Sequence, residues 1–432
     1  MPDQLIEIKA RPPLKALMTL LVLLTLISSW FVVRWYVANT IAEYFHPENN
    51  RLATAQLAVG LGPNDPLPHW RLGNLIQKEM PPDQIGLVVS EYEKAVSLSP
   101  NDYRLWMDYG GALEQAGDFE RAQKALQQAI KLAPSYAQPR WYLGNLFLRT
   151  DRYSEGFVEL QKASQADERF QPQLFNLAWQ LNKDDFNALQ SAVGSTAGMR
   201  GAFAAYLVKR GRFDDGLRLW NSLTLAEKKE SLIDASPIIS DLISAYRYHD
   251  AMTIWNEIAP GPAYVASDGH VIDRGFEDNL SHGPGAVFGW QVQSNSQVQI
   301  GIDAGQGHTG SRSLRLYFQV RTHIDTINVS QLVPVKPKTE YEFECYVKTE
   351  RLESAETPVI VIANAADDVV LAGSNAAPSG NSDWQRVALS FRTGDKTEAV
   401  KVKMIRNSCP DSPVCPIFGT VWYDDFDLRS RK

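Results

Sequence analysis

The sequence predicts a multidomain chain, α then β. It begins with an N-terminal transmembrane helix, continues as an α-solenoid of paired helices and ends in a C-terminal antiparallel β-sandwich of jelly-roll type. Three observations carry this reading. An uncharged run fills Ala16 to Val33, a Pro, Trp and Gly pattern recurs along the first half, and helical periodicity gives way to alternation after Pro262. The expected boundaries are a cytoplasmic tail at 1–15, an anchor and interfacial segment at 16–42, helical repeats at 47–260, a linker at 261–267 and the sandwich at 268–432.

The first run is long enough to cross a bilayer, and after Arg34 it resumes without charge through Ala42. Lys9, Arg11 and Lys15 precede it, and Trp30, Phe31, Trp35 and Tyr36 cluster at its far end, where amphipathic rings favour the interface. This places the amino terminus in the cytoplasm. A cleaved signal peptide is the competing reading, with a shorter apolar core and a small-x-small site. No convincing site lies near Ala38, and no Cys follows to accept a lipid, so the expectation is an uncleaved anchor.

Pro63, Pro100 and Pro134 are each followed by a Trp six or seven residues later (Trp70, Trp106, Trp141) and by a Gly ten residues later (Gly73, Gly110, Gly144). Ala95, Ala129 and Ala163 are spaced by 34 residues, as are Tyr92, Leu126 and Leu160. A fixed period of this size marks stacked supersecondary units. The first Pro interval is 37, and its three extra residues fall at Pro81-Pro82-Asp83, where a turn absorbs them. Trp106, Tyr109, Gly110 and Leu113 form the stripe of one helix, Ala122, Leu126 and Ala129 that of a second, with Gly117-Asp118 as the turn. The pattern resembles the tetratricopeptide repeat. The match is clearest over 67–170, a half-unit begins near Pro47, and degenerate units fill 171–260, including Gly211 to Gly216 and apolar helices near Pro237–Tyr246 and Asp250–Ile258. The resemblance implies a groove that holds a protein partner.

Composition narrows the classes. A net charge of -7 argues against nucleic acid, and 432 residues suffice for an anchor and two folded domains. Of three Cys, Cys409 and Cys415 share the Pro-rich stretch Cys409 to Pro416, and Cys345 lies in an alternating strand. The spacing is compatible with a disulfide or with two free thiols, and the oxidising compartment that the anchor predicts favours the disulfide.

After Pro262, Ser313–Phe318, Glu340–Val347, Arg386–Phe391 and Ala399–Met404 place apolar residues at every second position, as half-buried strands do. The ordered pieces Gly275-Phe276-Glu277, Gly289-Trp290, Gly310 to Leu314, Trp384 to Val387 and Trp422 to Phe426 resemble the calcium-stabilised jelly-roll carbohydrate-binding modules. That resemblance implies one structural calcium ion held by the carboxylates of Glu277 and Asp425 and the carbonyls of Gly275 and Gly310. The alternative is that both acids are turn residues bonding backbone amides. It also implies glycan binding; the candidate contacts are Trp290 and Trp384, which with Trp422 fall on family positions that are more often core, and Tyr317 and Tyr346, which lie within strands where alternation sends them to either side. A sandwich that has lost sugar binding and serves for docking would carry the same motifs.

No catalytic constellation is legible. There is no phosphate-binding loop, no His-Glu-x-x-His and no nucleophile elbow, and the seven His are scattered. The expected function is therefore non-catalytic, and the pairing of the two resemblances behind one anchor implies, by analogy, a scaffold in the bacterial inner membrane that holds a protein partner through its repeats, in surface polysaccharide assembly or export. The alternative is a glycan receptor displayed on a helical spacer.

Overall fold

The computed structural model describes residues 12–44, 51–79, 82–183, 185–259, 261–278, 287–293, 298–318, 327–409 and 415–431. The chain divides into two compact units, Met1–Gly194 and Ser195–Lys432.

The first unit opens with α1 (Pro12–Tyr44), 33 residues of unbroken helix, long and apolar enough to cross a membrane by length and composition. Its leucines and valines up to Val33 are exposed, and in its last turns, where Trp35, Tyr36 and Tyr44 stay exposed, Ala38 and Ala42 are buried. They pack on the hairpin of α2 (Arg51–Leu61) and α3 (Pro66–Glu79). A Cβ on Gly62 would come within 2.8 Å of Ala38 Cβ. Arg34 donates to the Gly60 carbonyl at 3.0 Å, Asn39 donates to the Asp65 carboxylate at 2.9 Å, and Trp35 also donates to Asp65. The end of the apolar helix is thus built into the first turn of the solenoid.

Helix pairs follow as α4 (Ile85–Leu98), α5 (Tyr103–Gln115), α6 (Phe119–Leu132), α7 (Ala137–Arg149), α8 (Tyr153–Ala166), α9 (Gln171–Asn182) and α10 (Phe186–Val193). Asp102 and Asp118 cap α5 and α6 by accepting from the amides of Arg104 and Arg121, satisfying donors that a helix start leaves orphaned. Gly110 is small because Leu126 of the paired helix sits where its side chain would go. One 3₁₀ turn, Pro82–Gln84, absorbs part of the longer first interval; Pro81 and Pro47 lie outside the described residues.

The second unit begins with α11 (Ala197–Lys209), α12 (Phe213–Asn221), α13 (Leu225–Glu230), α14 (Leu232–Ser244) and α15 (Tyr248–Ile258). The helix expected from Pro237 starts at Leu232, so Pro237 lies inside it and removes the N–H that would bond the Ile233 carbonyl. The residues read as a linker are bonded to α15: Asn256 exchanges two hydrogen bonds with Ala266, and Trp255 donates to the Tyr264 carbonyl at 2.8 Å. Tyr248 of α15 packs with Ala365 and Ala399 of the sandwich.

The sandwich consists of two antiparallel sheets, formed by β1 (Gln291–Gln293), β2 (Val298–Asp303), β3 (Ser313–Phe318), β4 (Asn328–Pro334), β5 (Glu340–Glu353), β6 (Val359–Asn364), β7 (Val370–Gly373), β8 (Gly380–Arg392), β9 (Ala399–Ile405) and β10 (Phe418–Ser430). The sheet orders are β1-β4-β9-β6-β7 and β2-β3-β10-β5-β8. The inward residues Leu314, Leu316, Phe343, Ile362, Val402 and Tyr423 fill the space between the sheets. Their alternate neighbours on β3, β10, β5 and β8 form an outer face.

Candidate functional site

Three places gather the residues singled out above. In the first unit, the leading helices of successive pairs are joined by a polar ladder. Trp70 Nε1 donates to Asp108 at 2.7 Å, Gln77 donates to Gln115 at 2.8 Å, and Arg149 pairs with Glu114. Burial pushes the Asp108 carboxyl above its ordinary range. The repeated tryptophans are half-buried spacers rather than full core: Trp106 donates to the Pro100 carbonyl at 2.7 Å, and Trp141 stacks on Phe170 with ring centroids 4.8 Å apart. A cavity of about 640 Å³ lies between α4, α5 and α6, walled by Trp106, Tyr109, Arg121 and Lys124.

The second place is the corner where the start of the sandwich meets its last strand. The pairing of β10 with β5 slips between Asp424 and Asp427, and Asp425 takes φ of 51° at this irregularity, which turns its carboxylate toward the 305–312 loop. Asp424 accepts from the His308 amide at 2.6 Å, and Asp425 takes His308 Nδ1 at 2.6 Å and the Thr309 hydroxyl at 2.5 Å. Glu277 accepts from the amides of Ser311 and Arg312 at 2.9 and 3.1 Å. Gly310 has φ of 68°, and a side chain on it would collide with the Glu277 carboxylate, so the position excludes other residues twice over. A Cβ on Gly275 would lie 3.6 Å from Asp424 Oδ1 and 3.9 Å from Asp425 Oδ1. The fold therefore brings Gly275, Glu277, Gly310 and Asp425 to one corner.

The corner fits calcium in donor chemistry, being rich in oxygen and in carboxylates. Burial raises Asp424 and Asp273 to about 6, and the neighbouring carboxylates, Asp425 beside Asp424 and Asp278 and Glu277 beside Asp273, add to the rise. Among the described residues no three His, Cys, Asp or Glu side chains gather as a metal site, so backbone carbonyls would have to complete the shell. Glu277 and Asp425 already bond amides and hydroxyls, as the turn reading expects.

The third place is the outer face of the second sheet. Trp290 is not on it: its ring is buried against Phe276 and Phe426, with Nε1 bonded to the Asp273 carbonyl, and it is withdrawn as a glycan contact. Tyr317 is exposed and aligned in register with Thr420 and through it with Glu350. With Phe418 they wall an open cavity of about 690 Å³. Tyr346 is covered on one face by His308, which stacks on it at 3.6 Å and meets Trp384 edge-on at 5.7 Å. The exposed face is completed by Lys348, which bonds Gln306, and Arg386, which pairs with Glu344 at 2.6 Å. Sequence reasoning missed His308, Lys348 and Phe418. The only local hint was the polar alternation that sends Lys348 to the same side as Tyr346.

Residues 409 and 415 are joined by a disulfide, with Cα atoms 5.4 Å apart, and Cys345 is a buried free thiol.

A family model described as tetratricopeptide repeat matches residues 112–169, and one described as carbohydrate binding domain matches residues 268–411. No curated protein matches the chain. Among solved structures, "MamA RS-1 ArsTM double mutant" is similar at 17% identity over 44% of this chain and 96% of that one, with a TM-score of 0.32. PilF from Pseudomonas aeruginosa is similar at 17% identity over 45% and 91%, with a TM-score of 0.32. MamA from Desulfovibrio magneticus RS-1 is similar at 17% identity over 37% and 90%, with a TM-score of 0.31. The chain thus joins an N-terminal apolar helix, helix pairs of which residues 112–169 are similar to tetratricopeptide repeats, and a C-terminal sandwich similar over residues 268–411 to carbohydrate-binding domains.

Proposed function

We propose that this protein is a membrane-anchored, non-catalytic scaffold of the bacterial cell envelope, holding a protein partner along its repeats in surface polysaccharide assembly or export. The observation that carries the anchor is the continuity of α1. Arg34, Trp35, Asn39, Ala38 and Ala42 are side chains of the repeat fold, so cleavage near Ala38 would strip a packed helix from the solenoid. The amino terminus is cytoplasmic in this scheme, and both folded units lie on the other side of the inner membrane.

The partner surface is assigned to the ladder of α3, α5 and α7. Photo-crosslinkers at Gln115 and Arg149 in the full-length protein should trap a protein in cells, whereas crosslinkers on the opposite helices at Lys124 should not. Equal trapping at both, or at neither, would sink the assignment.

The second reading, a glycan receptor, is favoured by the cavity of Tyr317, Phe418 and Glu350 on the outer sheet. Aromatic rings beside hydrogen-bonding groups suit a sugar's apolar face and hydroxyls. Calorimetric titration of the detergent-solubilised chain with bacterial and plant polysaccharides tests it. Saturable binding lost on Tyr317→Ala would make the sandwich the receptor and the repeats its support. Calcium at the corner is proposed as structural, with Glu277, Asp425, Gly275 and Gly310 as its holders; it would tie three chain segments and take no part in any reaction.

A further inference from the structure

The disulfide is asymmetric. Cys415 is fully buried and Cys409 half-buried. The guanidinium of Arg406, itself buried, lies against one sulfur only: Nη2 is 3.0 Å from Cys415 Sγ and donates to the Cys415 carbonyl at 3.0 Å. The same guanidinium donates to the Ser354 hydroxyl at 3.1 Å and to the Glu356 carbonyl at 3.1 Å. A bridge that only staples a loop needs no cation at either sulfur. A buried cation beside one sulfur stabilises that sulfur as a thiolate.

We propose that Cys409–Cys415 is a thiol-exchange site in which an external thiolate attacks Cys409 and Cys415 departs as a thiolate paired with Arg406. The attacking sulfur forms a bond to Cys409 Sγ as the Cys409–Cys415 bond breaks, and the bonding pair leaves on Cys415. A second thiolate of the donor, a dithiol reductant, then attacks its own sulfur in the mixed disulfide and releases Cys409. Two electrons pass to the protein, the donor becomes a disulfide, and Cys409 takes up a proton. Polarity follows from access and from leaving-group strength, since the sulfur with the lower pKa leaves faster. Burial of Cys415 leaves Cys409 as the sulfur that solvent can reach.

Reduction exchanges a covalent tie for an ion pair at the same place. Arg406 remains bonded to the segment after β5 and to the residue that leads into β10, so the strand ends stay joined in both redox states. The bond can then cycle without unfolding the sandwich.

The test is made on the oxidised full-length chain in detergent. Glutathione is added, the reaction is quenched with acid and free thiols are alkylated before mass spectrometry. The expected adduct is glutathione on Cys409 with alkylated Cys415, and Arg406→Gln should slow reduction by about tenfold while Arg406→Lys largely restores it. Glutathione shared evenly between the two cysteines, or found on Cys415, overturns the proposal, as does reduction of Arg406→Gln at the wild-type rate. Because Arg406→Gln can fail to fold, a second reading comes from Cys409→Ser. The 240 nm absorbance of the Cys415 thiolate should titrate below the ordinary cysteine value of about 8.5. Cys345 is silent there, because burial pushes its thiol up. A midpoint at or above the ordinary value would equally overturn the proposal.

Discussion

The helical unit closes over contacts of short reach, and the sandwich over contacts of long reach. Trp70 meets Asp108 and Gln77 meets Gln115 across 38 residues each, about one repeat. In the sandwich, His308 meets Asp425 across 117 residues, and Arg274 meets Asp427 across 153. Stacked repeats contact their neighbours only, so a lesion in one pair weakens that pair and its flanks. A corner that joins the first, middle and last parts of a domain has no such insulation, and a single fault there is felt by every strand it ties.

The sharpest way to break this contrast is Gly310→Val, which combines a left-handed backbone with a collision against Glu277. It should cost about 4 kcal/mol and accelerate hydrogen exchange across β3, β5 and β10 together. Protection loss confined to the 305–312 loop would show that the corner is as insulated as a repeat. Leu126→Ala, in a fully buried position, should cost about 3 kcal/mol. Its exchange footprint should stop at α4 to α7, and spread into α9 or α10 would deny the short reach.

Calcium sharpens the same comparison. At a hundredfold excess over its Kd, one ion should stabilise the sandwich by about 2.7 kcal/mol, and a chelator should reverse the gain. Protection of the repeats should be unaffected by either. A sandwich melting curve that ignores calcium would leave the turn reading of Glu277 and Asp425.

The smallest effect belongs to His69. Its ring is buried, with Nδ1 2.7 Å from the Glu91 carboxylate and Nε2 3.0 Å from the Pro63 carbonyl, so both nitrogens face acceptors. The bond to Glu91 raises its pKa above 6.5, against the opposing effect of burial. A raised folded value means the stabilisation is full below the unfolded pKa and is lost as pH rises through the folded one. Unfolding of α3 and α4 should therefore become easier as pH rises above the ordinary histidine value, and His69→Gln should flatten that slope. A slope that survives the substitution would assign it elsewhere.

Legibility followed the same divide. The period of 34 made the helix pairs plain, because every packing role recurs at a fixed distance in the chain. Alternation found the cores of β3, β5, β8 and β9, but not β6, whose residues Val359 to Ala363 are buried on both faces and so do not alternate. Nor did it find the start of β8, where Asn381-Ser382-Asp383 carries no apolar signal. The corner residues were legible through the resemblance, since Glu277 and Asp425 each sit in a short motif. His308 was not, because its place on Tyr346 depends on a loop crossing to a strand 38 residues further on. Trp290 misled because residue type does not say which side of a sheet a ring faces.

The unbroken course of α1 sets a distance. At 1.5 Å per residue its 33 residues measure about 50 Å. In the proposed membrane setting, Pro12 to Val33 accounts for about 33 Å, close to the hydrocarbon thickness of a bilayer. The rest is clamped to the first repeat, so the stand-off of the solenoid from the lipid is fixed by a rigid rod and not by the slack of a tether. In that setting, each residue inserted before Arg34 would lengthen the rod by about 1.5 Å and turn the repeats about its axis by about 100°.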